Sequence, residues 1–224
     1  MHPRNRTIRF AALAALAALP IAAQAADQAS YEVTFTPMWT AQSHPLDYPK
    51  AGVLSGPHFS GIIGTTHGAG YQLFTTGKSP TTGIERLSET GKHDPLDAEI
   101  KAAIAKGGAG VLFETDGIKD LSKPVKLTVT VDGKHPMVSA VAMIAPSPDW
   151  FAGVGNVSLM EAGGWVVSKT LDVYAYDSGG DDGTTYEAAD RDTSPKKATA
   201  LAGSAHFVQG GRRVPVARIT FTRK

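Results

Sequence analysis

The sequence contains no cysteine. That absence excludes thiol catalysis, cysteine-ligated zinc, iron–sulfur clusters and the attachment of c-type haem. It also means that stability must come from packing, or from a bound metal, and not from disulfides. Beyond residue 25 the chain has no apolar run of the roughly 20 residues that a membrane-spanning helix needs, because glycine, proline or a charged residue soon interrupts each one. We therefore expect no transmembrane segment in the mature chain.

The chain also lacks a stripe rich in lysine and arginine. Three of its 22 basic residues are arginines among the first nine positions, so without residues 1–25 there are 19 basic residues (22 − 3) and 21 acidic ones. The net charge is then −2 (19 − 21). Nucleic acid is bound through many clustered phosphate contacts, for which this charge distribution provides no footprint. We expect no nucleic-acid partner.

An export signal opens the chain. Residues 1–9 carry arginines and no acid, residues 10–23 are almost all alanine and leucine, and residues 23–25 give the small-x-small pattern that signal peptidase accepts. The apolar run, of about 14 residues, is too short to span a bilayer. The sequence predicts a signal peptide over residues 1–25 and a single domain over residues 26–224 that is exported, either periplasmic or secreted.

Short runs of alternating or β-branched residues predict most of the fold. These predicted strands are residues 31–36, 125–131, 137–144, 154–159, 165–174, 205–209 and 214–222. Asp132 and Gly133 predict a hairpin that pairs the second run with the third. One helix is predicted over residues 94–106, with Asp94 as its cap and Pro95 in its first turn. We expect an all-β fold, an antiparallel β-sandwich with one short helix and long loops.

The densest acidic feature is residues 177–183, DSGGDDG, which we call the Asp/Gly loop. Its glycines let the backbone turn tightly around three carboxylates. Calcium binds six to eight oxygen atoms, and a loop of this kind can supply several of them. An Asp/Gly segment is also typical of a plain solvated turn, and the spacing does not match an EF-hand. The residues alone leave both interpretations open.

The first four residues of that loop, DSGG, also resemble the nucleophile motif of trypsin-like proteases. A catalytic triad needs three partners, however, and the glycine that precedes this motif in those proteases is replaced by Tyr176. The most similar histidine context, that of His67, does not match the one around the catalytic histidine of those proteases. No His-x-His or His-Glu-x-x-His pattern supports hydrolytic zinc. We expect neither a serine hydrolase nor a zinc hydrolase.

A second feature is residues 145–151, APSPDWF, where two prolines flank a serine ahead of an aspartate and two aromatic residues. One interpretation is a turn at a strand end, with Trp150 packed in the core. The other is a rigid frame that holds Asp149 as a metal ligand contributed from a distant loop. The segment is compatible with either.

Residues 146–154, PSPDWFAGV, and residues 176–183, YDSGGDDG, resemble the paired motifs of the spondin amino-terminal domain family, PSPDWFVGV and YDAGTDSG, in order and in spacing. Further resemblance extends over residues 31–35, 39–40, 44–49, 59–60, 66–67, 83–91 and 215–219. It implies a single C2-like β-sandwich that binds calcium through loop aspartates at one end. It also implies roles in attachment to extracellular matrix and in recognition of cell surfaces.

Position by position, the resemblance implies that Asp149, Asp177 and Asp181 are the calcium ligands. Asp182 lies where the family has serine, so we rank it below these three. Met160 stands where animal members have cysteine, and an alanine-rich leader ahead of one such domain predicts a stand-alone bacterial member.

These observations predict an exported, calcium-binding adhesion or ligand-recognition module that is not an enzyme. Its expected partner is an extracellular or cell-surface protein or glycan. An alternative is a metal-assisted hydrolase that uses the same aspartates, which would need a histidine or glutamate of perturbed pKa converging on the metal. A third possibility is an ion that only clamps the loops together.

Overall fold

The structure, a computed structural model, describes residues 28–50, 56–162 and 164–224. The predicted signal peptide, residues 1–25, lies outside the described residues. In chain order the elements are β1 (Gln28–Pro37), β2 (His58–Phe59), β3 (Ile63–His67), α1 (Thr82–Thr90), α2 (Leu96–Ala105), β4 (Ala109–Glu114), β5 (Val125–Asp132), β6 (Met137–Ala145), β7 (Trp150–Ser158), β8 (Met160–Glu161), β9 (Gly164–Trp165), β10 (Ser168–Asp177), β11 (Ala200–Leu201), β12 (Val208–Gln209), β13 (Arg212–Arg213) and β14 (Ala217–Arg223).

One large antiparallel sheet organises the molecule. Its strand order is β4-β3-β6-β7-β10-β14-β1-β5, with β2 added at β6 and β11 added at β10. The two end strands, β4 and β5, lie in contact, so the sheet is nearly closed on itself. Two small hairpins, β8–β9 and β12–β13, stand apart from it. The predicted all-β, antiparallel fold is therefore confirmed.

The core fills the space enclosed by this sheet. Along β1 the buried residues alternate with half-buried ones, which places Tyr31, Val33 and Phe35 in the core. Tyr31 also donates its hydroxyl proton to the carbonyl of Val166 at 2.7 Å, so its polar end is satisfied. Burying an aromatic or branched apolar side chain stabilises the fold by about 1.5–3 kcal/mol each. Because the apolar residues of β1 recur at every second position, burying them determines which face of the strand turns inward.

Strand β6 is buried on both faces, and its sequence MVSAVAMIA is accordingly almost continuously apolar. One face meets the main core, while α1 packs against the strand from outside. A second buried cluster forms there from Ile63, Leu73, Ile84, Leu87, Leu96, Ile100, Val141 and Phe151. The two helices thus cover one side of the sheet.

The structure has two helices among its described residues where the sequence predicts one. Helix α1 begins after Thr81, whose hydroxyl oxygen accepts the Ile84 N–H, and ends at Gly91 in the left-handed conformation. Glu99 of α2 accepts the Gly83 N–H at 2.8 Å and so completes the cap of α1. Helix α2 lies within the predicted range, but Asp94 does not cap it, since the cap position is Pro95 with no side-chain bond.

The predicted hairpin between β5 and β6 is wrong. Strand β5 pairs with β1, while β6 pairs with β3 and β7. The Asp132 carboxylate accepts the N–H groups of Lys134 and His135, each at 2.8 Å, which closes a turn one residue before Pro136. Four residues separate the two strands, and the turn leads the chain across the molecule instead of back along β5.

Candidate metal centre

The antiparallel pairing of β7 with β10 brings two of the predicted ligands together. Asp177, the last residue of β10, lies opposite Trp150, the first residue of β7, so Asp149 directly precedes that pair. Both carboxylates accept the same backbone N–H group, that of Gly179, at 2.9 Å from Asp149 Oδ2 and at 3.0 Å from Asp177 Oδ1. The Pro-rich turn and the Asp/Gly loop therefore meet at one end of the sheet.

Asp149 is fully buried, and one of its oxygens is held by the Asp/Gly loop. Oδ2 accepts the N–H groups of Gly179 and Gly180 at 2.9 Å, the Asp181 N–H at 3.2 Å and the Ser178 hydroxyl at 3.0 Å. Consecutive N–H groups that point into one concavity form a nest that favours negative charge. The backbone of the loop is thus wrapped around this carboxylate.

The other oxygen of Asp149 has no such support. Oδ1 is buried and has no hydrogen-bond partner among the described residues. An unpaired polar atom at a buried position costs about 1–3 kcal/mol, and more for a charged group. Burial raises the pKa of Asp149, although the loop N–H groups and the Ser178 hydroxyl favour the ionised form. Oδ1 is therefore suited to accept a cation or a proton.

Asp177 lies in the same environment. Burial raises its pKa from 3.8 to about 6, and the neighbouring charge of Asp149 adds to the increase. The Gly179 N–H and the charge of Lys197 act in the opposite direction. Two adjacent carboxylates of this kind repel each other when both are ionised, and a divalent cation between them relieves that repulsion.

The third predicted ligand lies beside this pair but faces elsewhere. Asp181 accepts the Gly183 N–H through Oδ1 and the Arg191 N–H through Oδ2. Only its backbone N–H contacts Asp149. Within residues 28–50, 56–162 and 164–224, no three His, Cys, Asp or Glu side chains are grouped so that they could hold a metal ion. The structure thus brings two of the three aspartates together.

Residues 190–199, which we call the strap, fix the outer side of the Asp/Gly loop. The N–H groups of Thr193 and Lys197 donate to the carbonyls of Gly180 and Gly179, both at 2.9 Å. Lys197 also forms an ion pair with Asp182, which lowers the pKa of that carboxyl. Asp182 is therefore already paired, in keeping with its lower rank as a ligand.

The sequence did not single out Glu89, which lies on α1 close to the loop. A Cβ atom on Gly180 would be 2.7 Å from Glu89 Oε1, and that oxygen is buried without a partner among the described residues. Burial and the charge of Glu85 raise the pKa of Glu89 to about 7. Thr81, as a helix-capping residue, is the sequence feature that could have indicated α1. In that helix Glu85 and Glu89 are four residues apart and therefore lie on the same face.

Ser178, the serine of the protease-like tetrapeptide, is fully buried and donates its hydroxyl to Asp149. A carboxylate, and not a histidine, is thus its acceptor. Among the residues that the structure describes, no helix is long and apolar enough to cross a bilayer.

Comparison with known proteins gives one consistent result. The Spondin_N family profile matches residues 29–206. Spondin-2 of Rattus norvegicus is 29% identical over 206 residues, which cover 87% of this chain and 62% of that protein. Spondin-1 of Xenopus laevis is 30% identical over 210 residues, or 87% of this chain and 25% of that protein. The chain thus spans less than two thirds of the length of these relatives.

Proposed function

This chain belongs to the Spondin_N family, and we propose that it is an exported recognition module that binds calcium and has no catalytic activity. The observation that carries the proposal is the pair formed by Asp149 and Asp177, which share one N–H group while a buried Asp149 oxygen has no partner among the described residues. The family resemblance adds the expectation of an extracellular or cell-surface partner, either a protein or a glycan.

The donor set fits calcium better than a transition metal. The donors that meet there are the carboxylate oxygens of Asp149 and Asp177, and calcium prefers oxygen ligands. Asp181 would become a third ligand if its Oδ2 atom gave up the hydrogen bond from the Arg191 N–H group and bound the ion instead. When bound, calcium would neutralise the repulsion between the carboxylates and hold the Pro-rich turn against the Asp/Gly loop.

A metal-assisted hydrolase is the second candidate, and one observation favours it. Glu89, with a pKa of about 7, has the protonation behaviour of a general base near neutral pH. Its charged neighbours include Glu85, Lys196, Asp192 and Asp149, and Lys196 forms an ion pair with Glu85 at 2.7 Å. A phosphoester or peptide hydrolysis that requires calcium and is lost in Glu89→Gln would support this candidate.

Calorimetric titration with calcium tests the proposed site. We expect one bound ion, with an affinity that falls roughly tenfold or more in Asp149→Asn and Asp177→Asn, because each change removes a charged ligand. Asp172→Asn is the matched control, since Asp172 is an exposed strand residue paired with Arg218 at 3.0 Å. Equal binding by all four proteins would refute the site.

A second measurement separates recognition from a purely structural ion. An array of extracellular-matrix proteins and glycans would be probed in calcium and in chelator, at a temperature at which both forms are folded. Capture that needs calcium supports a recognition role. Equal capture under both conditions would mean that the ion only clamps the loops.

A further inference from the structure

A pocket of about 440 Å³ lies over β2, between the end of α1 and the Pro-rich turn. This volume is within the range of small-ligand pockets, about 300–1,000 Å³. Its described lining includes Lys119 and His58 but no aspartate or glutamate. The lining therefore carries a positive charge, and none of its described residues is a proposed calcium ligand.

The strand pairing places His58 beside Lys119. Phe59 forms an antiparallel bridge with Ile118, and the side chains of both residues are buried. Side chains alternate between the two faces of a strand, so the neighbouring residues His58 and Lys119 face the outer side together. His58 is half-buried and Lys119 is exposed. Two nitrogen-bearing side chains thus meet at one end of the pocket.

Both side chains have donors available for a ligand. His58 Nδ1 lies 2.9 Å from the Gly56 carbonyl oxygen, which only accepts, so Nδ1 carries a proton. When Nε2 is also protonated it donates as well, and an anion bound there favours that form of the ring. Lys119 forms no ion pair with any residue that the structure describes, and the adjacent acid, Asp120, pairs with Lys123 at 2.8 Å. This end of the pocket is suited to an oxyanion.

The other end of the pocket is formed by the C-terminal end of α1. A Cβ atom on Gly91 would lie 3.1 Å from Ser60 Cβ, so this end of the helix sits over Ser60, two residues along the chain from His58. The last carbonyl groups of a helix lack intrahelical donors and carry partial negative charge. They accept hydrogen bonds from hydroxyl groups and disfavour an anion. A ligand that matches both ends has its anionic group near Lys119 and its hydroxyl groups near α1.

The space between the two ends is lined in part by apolar side chains, those of Met143, Ala145 and Pro146. The floor is open at Gly117, where an added Cβ atom would meet nothing closer than the Phe59 carbonyl oxygen at 3.8 Å. The C–H groups of a sugar ring suit such a mixed lining. A glutamate or aspartate side chain would supply the carboxylate but no ring of hydroxyl groups.

We propose that this pocket binds an acidic sugar residue, with its carboxylate or sulfate group held by Lys119 and His58 and its hydroxyl groups directed to the end of α1. Charge-assisted hydrogen bonds from the two side chains hold the anionic group. The proposal rests on the recognition role proposed above and gives it a ligand class. It does not require that calcium be bound.

Titration of the whole chain with methyl glucuronide and with a sulfate ester of methyl glucoside, followed by NMR, tests the pocket. Methyl glucoside itself is the matched neutral sugar, and N-acetylglutamate amide is the matched peptide-like acid. We expect saturable one-to-one binding of at least one acidic sugar, and weaker binding of the other two compounds. The acidic sugar that binds more tightly shows whether the group is a carboxylate or a sulfate.

Matched variants then locate the contact. Lys119→Met removes the ammonium group and should weaken binding of the preferred acidic sugar about tenfold or more. His58→Phe keeps a ring but removes Nε2 and should also weaken binding, while Gly117→Leu should block it by filling the open space above the floor. Lys78→Met is the control, because Lys78 is an exposed lysine outside the described lining, and it should bind normally. Thermal melts verify that each variant is folded.

Three results would overturn the proposal. They are the absence of saturable binding by either acidic sugar, equally tight binding of methyl glucoside or of N-acetylglutamate amide, and unchanged binding by Lys119→Met. Calcium titration of the same proteins keeps the two sites apart. Sugar binding that fails while calcium still binds refutes this pocket alone, and calcium binding that fails while the sugar still binds refutes the metal site alone.

Discussion

At the scale of single residues, the two oxygens of Asp149 have opposite surroundings. Oδ2 accepts four donors from the Asp/Gly loop, while Oδ1 is buried with none among the described residues. The loop therefore orients the side chain and leaves one oxygen free to bind. Asp177 places a second carboxylate at the same N–H group, which makes the pair costly when both are ionised without a cation.

This cost predicts a dependence of stability on pH. With a pKa of about 6 in place of 3.8, folded Asp177 keeps a proton that the unfolded chain loses between these two values. The free energy of unfolding of the metal-free protein therefore falls as the pH rises through this window. Asp149 and Glu89 act in the same direction, since their pKa values are also raised.

Calcium should cancel that loss because it favours ionised carboxylates. We expect the melting temperature in calcium, minus that in chelator, to grow from about pH 5 to about pH 7. Thermal melts at several pH values measure this difference. In Asp177→Asn, which cannot ionise, the growth should be smaller. A difference that stays constant over this range would contradict the assignment.

Ser178 provides a second test at this scale. Its hydroxyl is one of four donors to Asp149 Oδ2, so Ser178→Ala should cost roughly 1–2 kcal/mol of stability and leave calcium binding largely intact. Denaturant unfolding and calorimetric titration measure the two quantities. Loss of a hydrolytic activity in this variant, with calcium binding retained, would instead favour the hydrolase.

At the scale of elements, the strap and the Asp/Gly loop are packed so closely that Gly179 has no room for a side chain. A Cβ atom there would be 2.4 Å from the Lys197 carbonyl oxygen, and the φ angle is +84°. We expect Gly179→Ala to cost roughly 3 kcal/mol or more, from the overpacking and the left-handed backbone together, and to weaken calcium binding.

Gly77 is the matched control for that change. Its φ angle of +81° is nearly the same, but a Cβ atom added there would meet no heavy atom of the described residues within 4 Å, its chain neighbours apart. Gly77→Ala should therefore cost only the backbone contribution, about 1–2 kcal/mol. Denaturant unfolding of both variants compares them. Equal losses would mean that contact with the strap does not constrain the loop.

The elements also show what the sequence could and could not predict. Alternation along β1 and β5 predicts both strands, because local residues decide which face is buried. Helix α1 was missed, since it has only nine residues and contains Gly83. The predicted β5–β6 hairpin is wrong because β5 and β6 pair with strands that are distant in sequence. The residues of the turn between them contain no information about those strands.

The same distinction applies to the candidate site. Asp149 and Asp177 could be grouped from the resemblance of their two motifs, and the antiparallel pairing of β7 with β10 brings them together. The orientation of Asp181 could not be predicted, because the Arg191 N–H that holds it comes from the strap. Glu89 lies beside the Asp/Gly loop only because α1 packs there. The sequence motif of the loop gives no information about that packing.

At the scale of the whole molecule, the two buried clusters share their central strands. In β6, Val141 belongs to the second buried cluster beneath the helices, while Ala140 and Ala142 belong to the main core. In β7, Phe151 belongs to the second cluster and Trp150 to the main core. Neither cluster can be exposed without disrupting the strands that support the other. We therefore expect one cooperative unfolding transition.

A calorimetric melt of the protein in calcium and in chelator tests the central claim, that the folded chain binds calcium at Asp149 and Asp177. An ion that binds only the folded state stabilises it by about 2.7 kcal/mol at roughly 100 times its Kd. For a chain of this length we expect a single transition that moves down by roughly 5–10 °C on chelation. A melting curve that is the same in chelator and in millimolar calcium would contradict the claim.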